Sequence, residues 1–147
     1  MKLQTTAEVI SFVERLENES AAFYESLSAR YARDEDVLRS FARENRKYVT
    51  QFRRAYYSVI SDAIEGCFAF AINPDEYSFD AGLSDEASYA EALGKALEME
   101  EKMIRFYSDA AEQSRPLMAD VPQAFALIAR KRQGRRQQLR SLLEGRG

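Results

Sequence analysis

Six side chains in this sequence have types and spacings that could do chemistry together: Glu17, Asn45, Tyr48, Glu100, Arg132 and Arg135. The two glutamates sit in copies of one pattern. Glu17-x-x-Ser20-x-x-Phe23-Tyr24 and Glu100-x-x-Met103-x-x-Phe106-Tyr107 match at an offset of 83 residues. Steps of three, four and seven residues return to the same face of a helix, so each glutamate shares its face with apolar and aromatic neighbours. A carboxylate on such a face holds a cation, moves a proton, or needs a positive partner, because an unpaired buried charge is costly. The chain contains no histidine. That excludes every triad or proton shuttle built on imidazole and every histidine-based metal site.

The elements that must carry these residues are helical. Val9, Val13, Leu16, Ser20, Tyr24, Leu27 and Tyr31 recur at helical steps, which predicts a first helix over about residues 6–31. Thr5 or Thr6 caps it, with Glu8 in the first turn. After the turn at Asp34-Glu35-Asp36, a second helix is predicted from Asp36 to Glu65, with Leu38, Phe41, Tyr48, Phe52, Ala55, Val59 and Ala63 on its stripe and Gly66 as its stop. Residues 67–84 break the period around Asn73-Pro74-Asp75. The segment is too aromatic for a free linker, so it reads as a long crossover pinned by Phe68, Phe70, Tyr77 and Phe79. A third helix is predicted from Ser84 or Asp85, with the stripe Tyr89, Leu93, Ala96, Met103, Tyr107 and Ala110, ending before Pro116. Pro122 suits the first turn of a fourth, capped by Asp120, whose stripe is Phe125, Ile128, Leu139 and Leu142.

Composition bounds the rest. A chain of 147 residues, 46% apolar and 31% charged, suits one domain spanning 1–147 with a core of its own. The net charge of −3 weighs against a chain built as a whole to bind nucleic acid. The single cysteine, Cys67, forms no intrachain disulfide and has no cation beside it to activate a thiolate. The first twenty residues carry acids where a signal peptide needs an apolar run, and no stretch of about 18 apolar residues occurs. A cytoplasmic protein with no membrane span is the expectation.

The second and fourth helices also align. Leu38, Phe41, Ala42, Asn45, Tyr48 and Phe52 match Phe125, Ile128, Ala129, Arg132, Arg135 and Leu139 at an offset of 87. The sequence thus reads as a duplicated helical hairpin, giving an all-α four-helix bundle of two hairpins joined by a long crossover. The order of these motifs resembles the rubrerythrin and ferritin-like superfamily over about residues 9–143. There, one glutamate from each of two helices and a Glu-x-x-His pair from each of the other two hold two irons. By that resemblance Glu17 and Glu100 match the two single glutamates. Asn45 and Tyr48 stand in place of the first Glu-x-x-His pair, and Arg132 and Arg135 in place of the second.

These exchanges make a poor metal site. Guanidinium groups stay charged and offer no lone pair, and an amide and a phenol do not replace the lost carboxylates. The same residues suit a metal-free arrangement in which Arg132 and Arg135 neutralise Glu17 and Glu100, while Asn45 and Tyr48 fill the remaining hydrogen bonds. The alternative for the arginines is a solvated basic face within residues 130–136. Three functional readings follow. The first is a metal-free binding or assembly protein with no cofactor and no catalysis, which pairs with itself or with another protein. The second is an oxidoreductase with iron, or a mononuclear metal around Glu17, Glu100 and Glu44. The third uses the basic fourth helix to contact nucleic acid or an acidic partner, a reading the acidic total disfavours.

Overall fold

The computed structural model describes residues 2–58, 70–80, 82–115 and 120–145. These form four long helices: α1 (Thr6–Arg30), α2 (Glu35–Ser58), α3 (Tyr89–Gln113) and α4 (Asp120–Glu144). No strand occurs among them beyond one isolated antiparallel bridge between Leu3 and Ile72. α1 packs mainly on α2, α3 on α4, α2 on α4, and α1 more lightly on α3. The chain is therefore an all-helical bundle built from two hairpins laid side by side. No helix among the described residues is long and apolar enough to cross a membrane.

Local chemistry sets the helix ends. The Thr5 hydroxyl accepts from the Glu8 amide at 3.2 Å, and the Glu8 carboxylate accepts from the Thr5 amide at 3.0 Å. This reciprocal capping box satisfies two otherwise orphaned donors and selects Thr5 over Thr6 as the cap. α1 closes at Tyr31, and a single 3-10 turn, Ala32–Asp34, leads straight into α2. Glu35 and Asp36 lie in the first turn of α2, where acids favour the helix dipole. The far end of the second helix expected from the sequence, with Val59, Ala63 and the stop at Gly66, lies outside the described residues, as do Cys67 and Phe68.

The third helix corrects the sequence expectation. It starts at Tyr89 rather than at Ser84 or Asp85. Ser84 instead closes a turn, accepting from the Ala87 amide at 3.1 Å, and Ser88 becomes the cap by accepting from the Glu91 amide, also at 3.1 Å. Ser88-x-x-Glu91 carries the capping spacing that Ser84-x-x-Ala87 lacks. α4 includes Asp120 as its first residue rather than leaving it as the cap.

The predicted stripes are the core. Val9, Val13, Leu16, Tyr24 and Leu27 of α1 are buried against Leu38, Phe41 and Phe52 of α2, and Leu93, Ala96, Met103 and Tyr107 of α3 against Phe125, Ile128 and Leu139 of α4. The connection between the hairpins is anchored as well. Phe70 and Tyr77 are buried and Phe79 packs on the core. Leu3 and Ile72 exchange backbone hydrogen bonds at 2.6 and 3.0 Å, tying the segment before α1 to the connection. The Tyr77 hydroxyl donates to Asp109 of α3 at 2.5 Å.

Candidate functional site

All six sequence-nominated residues reach the centre of the bundle and are buried: Glu17 on α1, Asn45 and Tyr48 on α2, Glu100 on α3, Arg132 and Arg135 on α4. Arg132 is the hub. Its side chain is 0% exposed, as are those of both glutamates. One guanidinium nitrogen donates to Glu100 Oε1 at 2.6 Å, and the other reaches both oxygens of Glu17, the longer contact being 2.8 Å. One cation thus bridges two carboxylates from opposite hairpins.

The remaining carboxylate contacts follow the internal repeat. Tyr107 of α3 donates to Glu17 Oε2 at 2.6 Å, and Tyr24 of α1 donates to Glu100 Oε2. Each tyrosine lies seven residues after its own helix's glutamate yet serves the glutamate of the other helix. This reciprocity requires α1 and α3 to run antiparallel. Burial first, and then the facing carboxylate, push both phenols well above their ordinary range, so they remain protonated donors.

Arg135 completes the cluster from one helical turn further along α4. It donates to Asn45 Oδ1 at 2.5 Å, to the Phe41 carbonyl at 3.1 Å and to Glu44 at 3.1 Å, and lies 3.6 Å from Glu100 Oε2. The Asn45 amide donates to the Glu17 carbonyl at 3.3 Å. Tyr48 departs from expectation. Its hydroxyl has no hydrogen-bond partner among the described residues. Its ring instead faces both guanidiniums, with centroid distances of 5.5 Å to Arg132 and 5.7 Å to Arg135. The electron-rich face of the ring, rather than the oxygen, meets the cations. Burial foremost pushes its phenol up to about 12. The Nε of each arginine also lacks a partner among the described residues, so the network is strongly but not completely satisfied.

The two glutamates are electrostatically unequal. Burial raises Glu17 above the ordinary carboxylate range, and Arg132, Tyr107 and the more distant Arg135 reverse only part of that rise. Burial acts on Glu100 too, but Arg132 and Arg135 together, with Tyr24, outweigh it and hold Glu100 below the ordinary range. Burial also opposes the charge on Arg132, and Glu100 and Glu17 more than restore it. The difference between the glutamates lies in the number of cations at hand: one for Glu17, two for Glu100.

A pH dependence follows with opposite signs. Glu100 contributes stability above the ordinary glutamate range and loses it as pH falls through its lowered folded value. Glu17 contributes stability below that range and loses it as pH rises through its raised folded value. Urea unfolding followed from about pH 7 down to about pH 2 is therefore expected to show a shallower acid-side loss in Glu100→Gln than in the parent. Glu17→Gln is expected to show a steeper one, because it removes an opposing slope. Identical slopes in both variants would contradict the asymmetry.

The residues do not fit a metal. All four oxygens of Glu17 and Glu100 are taken by guanidinium or phenol donors, and the two arginines offer no lone pair. Glu44 does not join them: its side chain is 46% exposed and pairs with Arg135. Among the described residues, no group of three or more Asp, Glu, His or Cys side chains stands close enough to hold a metal ion. What the arrangement does chemically is neutralise two buried carboxylates from four helices at once. No protein-family model, no curated protein and no solved structure matches the chain.

Proposed function

We propose that this protein is a ferritin-like, rubrerythrin-type bundle in which a guanidinium has taken the place of the metals, and that it acts by binding or assembly rather than by catalysis. The observation that carries the reading is Arg132, which bridges Glu17 and Glu100 in the buried centre. The two hairpins, the repeat offsets and the reciprocal glutamate–tyrosine pairs support a duplicated ancestor whose Glu-x-x-His positions became Asn45, Tyr48, Arg132 and Arg135. In this reading the connection between α2 and α3 is the ferritin-type crossover. The protein works in the cytoplasm, without iron, and meets a second copy of itself or another protein through its outer faces.

The test has two arms. After incubation with ferrous iron or manganese and desalting, the parent chain is expected to carry well under one metal per chain, with an unchanged melting temperature. Stoichiometric metal with a raised melting temperature would instead favour the iron oxidoreductase. The second arm exchanges Asn45→Glu, Tyr48→His, Arg132→Glu and Arg135→His together. A ferritin-like scaffold is expected then to take up about two metal ions per chain. A folded quadruple variant that binds none would refute the proposed ancestry.

A further inference from the structure

The outer surfaces of α2 and α4 carry charge that no acid among the described residues answers. α4 has no acid from Val121 to Leu143, and α2 has only Glu44 between Asp36 and Ser58. That one carboxylate is held by the buried guanidinium of Arg135. Arg43, Lys47 and Arg54 of α2 and Arg130 and Lys131 of α4 are exposed, and none has an ion-pair partner among the described residues. Other cations of the two helices do find acids: Arg46 pairs with Glu25, Arg53 with Glu14, and Arg140 with Glu101 at 3.5 Å.

The two helices lie side by side and antiparallel, since Arg135 meets Phe41 and Glu44 while Phe125 meets Phe52. Lys131 is level with Tyr48, its ammonium 5.8 Å from the ring. By helical period, Arg43, Lys47 and Arg54 lie together on the side of α2 away from the core. The result is one basic face, with the exposed amide of Gln138 seven residues beyond Lys131 on the same side of α4.

We propose that this face binds the phosphate backbone of a nucleic-acid duplex. Leu127, 39% exposed, is the one exposed large hydrophobic among the described residues. It lies one helical turn before Arg130 and Lys131, and a single leucine is less apolar surface than the centre of a protein interface or a membrane insertion would use. Among the side chains described on this face, none is an exposed aromatic ring on which single-stranded bases would stack. A second copy is a weaker match, because Glu14, Glu19, Glu25, Glu101 and Glu112 of α1 and α3 are already paired within the chain, which leaves Glu98 as an exposed acid of α3 in no ion pair among the described residues. Unpaired cations beside polar side chains are what backbone phosphates take. The acidic total of the chain does not describe this face, because the acids are concentrated on other elements. The inference is independent of the ferritin-like reading.

The experiment measures fluorescence anisotropy of a labelled duplex of about 20 base pairs with the full chain, from about 50 mM salt upward. Log affinity is expected to fall linearly with log salt. The variant Arg43→Gln, Lys47→Gln, Lys131→Gln is expected to bind about tenfold or more weakly and to lower the salt slope by about one per cation removed. A control with equal charge loss elsewhere, Arg15→Gln, Arg33→Gln, Arg115→Gln, is expected to bind like the parent. Circular dichroism confirms that both variants are folded. Absence of duplex binding at the lowest salt, equal weakening by the control, or tighter binding to a single strand or to phosphatidylserine vesicles overturns the proposal. Self-association abolished by the α2/α4 variant, without duplex binding, does so in favour of a second copy.

Discussion

Replacing Arg132 with alanine is expected to lower the stability of the folded chain by about 3–5 kcal/mol, the range for breaking one side of a buried ion pair. The loss comes less from the attraction removed than from what is left behind. Glu17 and Glu100 are both fully buried, and each would keep a tyrosine donor but lose its main counter-charge. A small domain has only about 5–15 kcal/mol to lose, so the variant should unfold at much lower urea. The same substitution in a Glu17→Gln, Glu100→Gln background is expected to cost less, because no uncompensated charge remains. The double-mutant cycle should then show coupling of about 0.5–3 kcal/mol. A loss below about 1 kcal/mol for Arg132→Ala would mean that the carboxylates do not depend on it.

The second large effect is expected at Glu100. Glu100→Ala removes the one carboxylate that faces both guanidiniums, at 2.6 Å from Arg132 and 3.6 Å from Arg135. It is expected to cost about 3–5 kcal/mol. Glu17→Ala should cost less, because Arg132 keeps Glu100 and Arg135 keeps Glu44 and Asn45. Glu100→Gln retains the volume and an acceptor for Tyr24, so it should fall between the alanine variant and the parent. Urea titrations of the three variants at neutral pH test the ranking. A larger loss for Glu17→Ala than for Glu100→Ala would reverse the account of which glutamate balances the cluster.

Several features of this site follow from the amino-acid sequence alone. Glu17 and Glu100 lie on apolar stripes, and a glutamate there cannot stay both buried and alone. Arg132 and Arg135 lie between Ile128 and Leu139 on the stripe of α4, and both are buried. Other features were not readable. Tyr48 has a hydroxyl to offer, and residue type alone predicted a hydrogen bond; only the packing angle decided that its ring would face the guanidiniums. The start of α3 hung on which serine found a free amide, and Ser88 had Glu91 three residues on while Ser84 did not.

Residue type and spacing were enough to set the four helices, their buried stripes and the six residues that meet at the centre. Helical period is a local property, and a stripe must be covered wherever its helix goes. Packing in three dimensions set the pairing: Arg132 spans both hairpins, Tyr24 serves Glu100 while Tyr107 serves Glu17, and Glu44 stays at the edge beside Arg135. It also decided that the cations of α2 and α4 share one surface. Those partnerships depend on helix direction, rotation and side-chain reach across gaps of dozens of residues, and no local spacing encodes them.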